Sequence, residues 1–222
     1  MIDLHILAVG EFGQAVARRL VDHFPAQLSE ERDLYDPSLW PRARARAVIA
    51  WRETPRLFEL ADGIAFATGV PWLAVTLGAT ALRVGPAVLG TRGPCYRCFL
   101  ARQFQHGQLR DTDRQLFQAY DGDPRLGPGG HLESHVSLAE AMVSHSVRVL
   151  LGPEPEQERG RVRSFDLLSA GSTALSVVPV HGCTRCDTTV PDATWRRLSE
   201  DLRGLCESPA AESVPPITTR RG

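Results

Sequence analysis

Leu4-His5-Ile6-Leu7-Ala8-Val9-Gly10-Glu11-Phe12-Gly13 is the stretch whose reading decides the fold class. Residues 4–9 form an apolar run that stops at Gly10. From Gly13 to Phe24, Val16, Leu20 and Phe24 recur at helical spacing, with Ala17 on the same face. The pattern is strand, tight turn, helix. Working outward, residues 25–46 are polar, rich in Arg and interrupted by prolines, and read as an irregular connection. AVIAW (47–51) reads as a short buried strand. Thr54-Pro55 then marks a helix start, because Thr caps and Pro fits the first helical position. Leu57, Leu60, Ala61, Ile64 and Ala65 give that helix one apolar face as far as Thr68, and Gly69 stops it. PWLAVTL (71–77) is the next strand. Strands alternating with helices in this order predict parallel pairing through right-handed crossovers.

Beyond residue 77 the pattern changes. ALRV (81–84) and PAVL (86–89) flank a Gly-Pro break and read as consecutive strands. Residues 102–130 are polar and end in the loop DGDPRLGPGG. A long helix is expected over 132–151, with Val136, Ala139, Met142 or Val143, Val147 and Leu150 inward. Residues 161–168 and 173–180 read as a hairpin. Asp192 is placed to cap a last short helix through Leu205. From Pro209 on, apolar content is too low for packing. The expectation is one α/β domain of mixed sheet over 1–207 and a disordered tail over 208–222.

The 222 residues carry a formal net charge of −1, so no whole-chain field favours nucleic acid or a membrane surface. No apolar run reaches the length of a membrane span. MIDLHILAVG lacks a basic flank and a cleavage site, which makes it a strand rather than a signal peptide. The expected compartment is the reducing cytoplasm, where paired cysteines bind metal more often than they form disulfides. Every basic residue apart from histidine is arginine; lysine and asparagine are both absent. No step requiring a Lys ammonium or a Lys Schiff base is open to this chain.

Cys95-Tyr-Arg-Cys98 and Cys183-Thr-Arg-Cys186 are two CxxC turns. Each such turn aims two sulfurs at one tetrahedral ion, and two turns close the coordination shell, the arrangement of a structural Zn²⁺. A thioredoxin-type redox motif would be a single pair opening a helix. Gly93-Pro94 and Gly182 supply the tight turns. A zinc ribbon spaces its pairs about 15–20 residues apart, whereas 84 residues separate Cys98 from Cys183. The ion would therefore clip two distant segments together. Cys206 is left over and reads as a small buried hydrophobe.

Ala8-Val9-Gly10-Glu11-Phe12-Gly13 matches the dinucleotide-binding pattern GxGxxG with Ala8 at the first glycine. There Gly10 would admit close backbone approach and Gly13 close packing of helix on strand. Glu11 opposes an anion, and residues 29–33 do not end an apolar strand, so the pattern is degenerate for nucleotide. His131, His135 and His145, with Glu140 nearby, share spacing on the long helix, but HExxH is absent and a polar or partner-facing surface is the simpler reading. Ser169 to Thr173 reads as a hairpin loop, since GxSxG does not occur. Arg42, Arg44 and Arg46 either bind an acidic peptide or form a solvated connection. Trp40, Trp51, Trp72 and Trp195 read as core or interface.

Several of these features occur in one order: the glycine turn, Gly69-Val70-Pro71-Trp72, Val84-Gly85-Pro86, Gly93 to Cys98, the 132–151 helix, and His181 to Cys186. In that order, over roughly residues 4–205, the chain resembles the E1-like (ThiF-like) proteins of thiazole/oxazole-modified peptide biosynthesis. The resemblance implies a Rossmann-like mixed sheet with a four-cysteine zinc site. It implies a partner protein that binds the leader of a precursor peptide or presents it to a YcaO-type, ATP-using cyclodehydratase. Homodimerisation is implied as well. Adenylating members carry a ribose-binding acid, an Arg/Lys set on the phosphates and an Asp for Mg-ATP. Here AVIAW ends in Trp51-Arg52-Glu53 and lysine is absent, so a non-adenylating member without bound ATP is expected. Members usually carry a winged-helix peptide-recognition domain before the E1-like part, which leaves leader recognition to a separate protein or to this domain. An active adenylyltransferase and an NAD(P)-dependent oxidoreductase are the alternatives.

Overall fold

A computed structural model describes residues 1–186 except Thr91, Pro124 and Pro128. The helix expected after Asp192, Trp195, Cys206 and the tail from 208 lie outside the described residues. Among the described residues, seven strands form one sheet: β1 (Ile2–Val9), β2 (Ala26–Leu28), β3 (Ala43–Ala50), β4 (Trp72–Leu77), β5 (Ala81–Val88), β6 (Arg161–Asp166) and β7 (Ser172–Ser176). Their order is β2-β1-β3-β4-β5-β6-β7. The first four run parallel and the last three antiparallel.

Both faces of the sheet are covered, which is why β1 is apolar almost throughout rather than alternating. Leu4, Ile6 and Ala8 face one core together with α1 (Gly10–Leu20) and α5 (Glu133–Leu151). Leu7, Val48 and Ala50 face the other, under α2 (Pro55–Thr68) and α3 (Tyr96–Gln105). On α5, Val136, Ala139, Val143, Val147 and Leu150 are buried, so Val143 rather than Met142 points inward. Gly69 ends α2 in the left-handed conformation at φ +68°. Among the described residues, no helix is long and apolar enough to cross a membrane.

Several elements depart from the sequence reading. Residues 25–46 are not wholly irregular. Leu4, His5 and Ile6 pair with Ala26, Gln27 and Leu28, and β3 starts at Ala43 rather than at 47. Residues 81–88 form one strand, not two: β5 continues through Gly85, at φ +118°, and the cis Gly85–Pro86 bond, and ends before Leu89. Thr54 does not cap α2 through its side chain; its hydroxyl is buried without a partner among the described residues. Two helices, α3 and α4 (Asp111–Gly122), occupy sequence where none was expected.

The sheet has a topological switch. From β1 the chain turns to β2 on one side and then to β3 on the other. In open α/β sheets, ligands bind in the crevice beyond the carboxyl ends of the two strands at that point. Those ends are Val9 and Ala50, which lie in register.

Candidate functional site

The hairpin β6–β7 returns the chain to α3, and four sulfurs meet there. Sγ of Cys95 lies 3.8 Å from that of Cys98 and 3.5 Å from that of Cys183. Cys98 and Cys186 are 3.4 Å apart. All four ligand atoms fall within 4.8 Å of one another. A tetrahedral ion with Zn–S bonds of about 2.3 Å would set its sulfurs ~3.8 Å apart, so the quartet fits an ion of that size with little rearrangement. Among the described residues this is the one group of His, Cys, Asp or Glu side chains close enough to hold a metal.

Local structure explains the convergence. Cys95 is the N-cap residue of α3 and Cys98 lies in its first turn, where the helix's unpaired N–H groups favour thiolate. Gly93 is required for proximity: a Cβ there would stand 2.6 Å from Cys186 Sγ. Gly182 takes φ +71° in the second turn. The backbone N–H of Val180 donates to Cys98 Sγ at 3.3 Å. The Cys95 thiol and this N–H both donate to Cys98, and such bonds hold its thiol down to about 4. Donation to Cys98 pushes Cys95 up, and burial pushes Cys186 up to about 12.

A buried carboxylate supports the knuckles from behind. Asp62, fully buried on α2, accepts from the Tyr96 N–H at 3.0 Å and from Trp72 Nε1 at 3.3 Å. Its other oxygen lies 3.5 Å from Arg185 Nε. Burial raises its carboxyl to about 6. Gly63 leaves room for Arg185, whose Nη1 would stand 3.0 Å from a Cβ at that position. Sequence reasoning missed Asp62, although an Asp within the apolar face of a helix is a readable signal. It also missed Glu53, which accepts from Tyr96 OH at 2.5 Å and from Arg83 at 2.6 Å.

At the switch point, Gly10 has φ +71°, and a methyl group there would overlap the indole of Trp51. That indole continues to Gly127, whose Cβ would stand 3.0 Å from it. Arg52 is buried beside it, 5.1 Å from the Trp51 ring and 4.3 Å from that of Tyr120. Arg52 Nη2 donates to the carbonyls of Tyr120 and Asp123 at 2.9 and 3.1 Å. Gly13 lies against the Ile49 carbonyl, and Ala8 is in the core facing α1. Next to the indole, Gly10, Glu11, Gln14, Arg18, Glu31 and His131 line a polar cleft of about 530 Å³.

The other sequence candidates do not gather. His131 precedes α5 and packs edge-on against Phe12 at 6.0 Å. His135 accepts the Leu132 N–H through Nδ1 at 3.3 Å, and His145 lies 3.9 Å from Glu158. Ser169 sits in the turn of the β6–β7 hairpin. The three arginines at 42, 44 and 46 are part of or adjoin β3: Arg44 pairs with Asp3, and Arg46 is buried over Trp40 at 5.5 Å. Trp40 and Trp72 are core, whereas Trp51 is half-buried.

No protein-family model matches the chain, and no curated protein is similar to it in sequence. Solved structures do match. The heterocyclase TruD superimposes with a TM-score of 0.61 at 15% identity, over 83% of this chain and 27% of its own. E. coli MccB, in a structure with succinimide, gives 0.58 at 14% identity, over 83% of this chain and 66% of its own. A chain of the E. coli microcin synthetase McbBCD complex gives 0.58 at 14%, over 82% and 67%. The chain thus spans about a quarter of TruD and about two-thirds of MccB. It shares the fold of a heterocyclase and of a microcin synthetase component.

Proposed function

We propose that this chain is a non-catalytic, E1-like component in the biosynthesis of an azole-modified ribosomal peptide. In this reading it holds the precursor peptide, presents it to a YcaO-type cyclodehydratase, or does both. The shared fold supports the pathway: one heterocyclase with this fold was solved with substrate and cofactor, and another relative is part of a synthetase complex. The single observation that carries the non-catalytic part is the packing of Trp51 on Gly10. The glycine that in a dinucleotide-binding turn gives a phosphate access to the backbone here gives an indole access. Glu11 and Glu31 line what remains of the crevice with Arg18, so its carboxylates outnumber its arginine and do not favour a polyphosphate.

The four cysteines would hold one zinc ion. Four thiolates fill its coordination shell, so the ion supplies a crosslink between α3 and the segment after β7 rather than an open site for substrate. Asp62 and Arg185 orient the knuckles from α2, as supporting groups do around metal ligands.

Affinity capture of the tagged full chain from its native host, with mass spectrometry of what is retained, tests the reading. Recovery of a YcaO-type cyclodehydratase or a short precursor peptide is the expected result. Recovery of neither, together with ATP–pyrophosphate exchange by the purified chain, would overturn it in favour of an adenylyltransferase.

A further inference from the structure

Both knuckles carry arginine at their third position, CYRC and CTRC. Tetrahedral sulfur geometry does not require a cation there. The two side chains nevertheless run to the same place on α2. Arg97 Nε donates to Glu59 Oε2 at 2.8 Å, and Arg185 Nη2 lies 3.6 Å from that same oxygen. One turn earlier, the guanidinium of Arg56 lies over the Tyr35 ring at 5.3 Å. It makes no ion pair among the described residues. With Leu60, these five residues line a cleft of about 330 Å³.

Arg56 is the guanidinium of the cleft without an ion pair among the described residues. Three guanidinium groups face one partly exposed carboxylate, and Arg97 and Arg185 share it. Asp62 lies buried beneath with two neutral donors on one oxygen and Arg185 Nε 3.5 Å from the other, so Arg185 is held between two carboxylates while Arg56 has none. Asp121 comes close, but its Oδ1 accepts the backbone N–H of Arg56 at 3.2 Å rather than pairing with the side chain. Each guanidinium offers five donors in a planar fork. Arg97 uses Nε on Glu59 and Nη1 on Thr184, which leaves Nη2 to reach outward. A carboxylate is the group that fits between such forks, because it accepts two parallel N–H bonds at once.

We infer that this cleft binds a carboxylate side chain of an acidic peptide segment, with Arg56 and Arg97 as the contacting groups and Arg185 as their support. The inference deepens the peptide-holding reading above and rests on it. A four-thiolate zinc centre carries two negative charges, which Arg97 and Arg185 would also offset. Arg56 stands on α2, outside both knuckles, and so separates ligand binding from support of the metal.

The test uses the full-length, zinc-loaded chain and a fluorescein-labelled hexapeptide rich in glutamate, read by anisotropy against the same peptide with glutamine. The glutamate peptide is expected to bind about tenfold tighter than its glutamine counterpart, with affinity falling as salt rises. Arg56→Gln and Arg97→Gln are each expected to weaken it severalfold, Arg56→Gln with unchanged zinc content. Equal binding of the two peptides, no binding of either, or an Arg56→Gln protein that binds as well as the parent would overturn the inference. So would equal displacement by millimolar inorganic phosphate, which would mark an unspecific anion site. Capture of the cyclodehydratase from the host, run in parallel, distinguishes the failures. If the enzyme is retained but the peptide does not bind, only the cleft is wrong. If neither holds, the peptide-holding reading falls as well.

Discussion

Gly10 and Trp51 form one packing unit. The left-handed backbone at Gly10 would strain any L side chain, and the indole stands where its Cβ would be. Gly10→Ala is therefore expected to cost about 2 kcal/mol in chemical denaturation; a change below about 0.5 kcal/mol would mean that the indole moves aside freely. Gly93→Ala places a methyl group against Cys186 Sγ, so zinc should leave this variant faster than the parent in a chelator competition. His5 makes a different prediction. It is fully buried, its Nε2 lies 2.7 Å from Ser29 Oγ, and burial, with Arg46 nearby, lowers its pKa to about 4. Below pH 6.5 the unfolded chain takes up a proton that the folded chain refuses. His5 therefore lowers stability as pH falls from 6.5 towards 4, by up to about 3 kcal/mol. Asp62, raised to about 6 by burial, acts in the opposite direction over part of that range, so the comparison must be between variants. Denaturation of His5→Gln should show a smaller loss with acid than the parent; parallel curves would contradict the account.

Elements differ in how much of themselves the sequence reveals. The helices α2 and α5 were legible because each has one continuous apolar face, and α2 in addition has Pro55 at its start and Gly69 at its end. β2 was hidden because it has three residues and its pairing comes wholly from β1. The start of α3 lies inside the first CxxC, where the metal reading takes precedence over periodicity. The helix α4 has no buried residues, hence no apolar stripe to read. It is tied down instead by polar contacts at its end: the Arg52 bonds to Tyr120 and Asp123, and Asp121 on the Arg56 N–H. Arg52→Ala should therefore speed amide exchange across residues 111–127 while leaving that of β1 and β3 unchanged. Unaltered exchange in 111–127 would show that other contacts hold the helix.

At the level of the molecule, the sequence indicated the parallel sheet and the cysteine quartet together, since spacing alone separates two CxxC turns from a zinc ribbon. It did not indicate what fills the switch point. Trp51 reads as an ordinary aromatic at a strand end, and only the strand order sets it against Gly10. A zinc ion joining Cys98 to Cys183 would close 84 residues into a loop. By analogy with a crosslink over a loop of that length, zinc removal should cost on the order of 4 kcal/mol. A large fall in melting temperature on chelation, reversed by adding zinc, would show it. The most direct measurement is pyrophosphate and phosphate release from ATP by the purified, zinc-loaded chain with precursor peptide, before and after a YcaO-type cyclodehydratase is added. The account predicts no release from the chain alone, and release that exceeds the enzyme's own rate once both are present. Pyrophosphate release by the chain alone would contradict it.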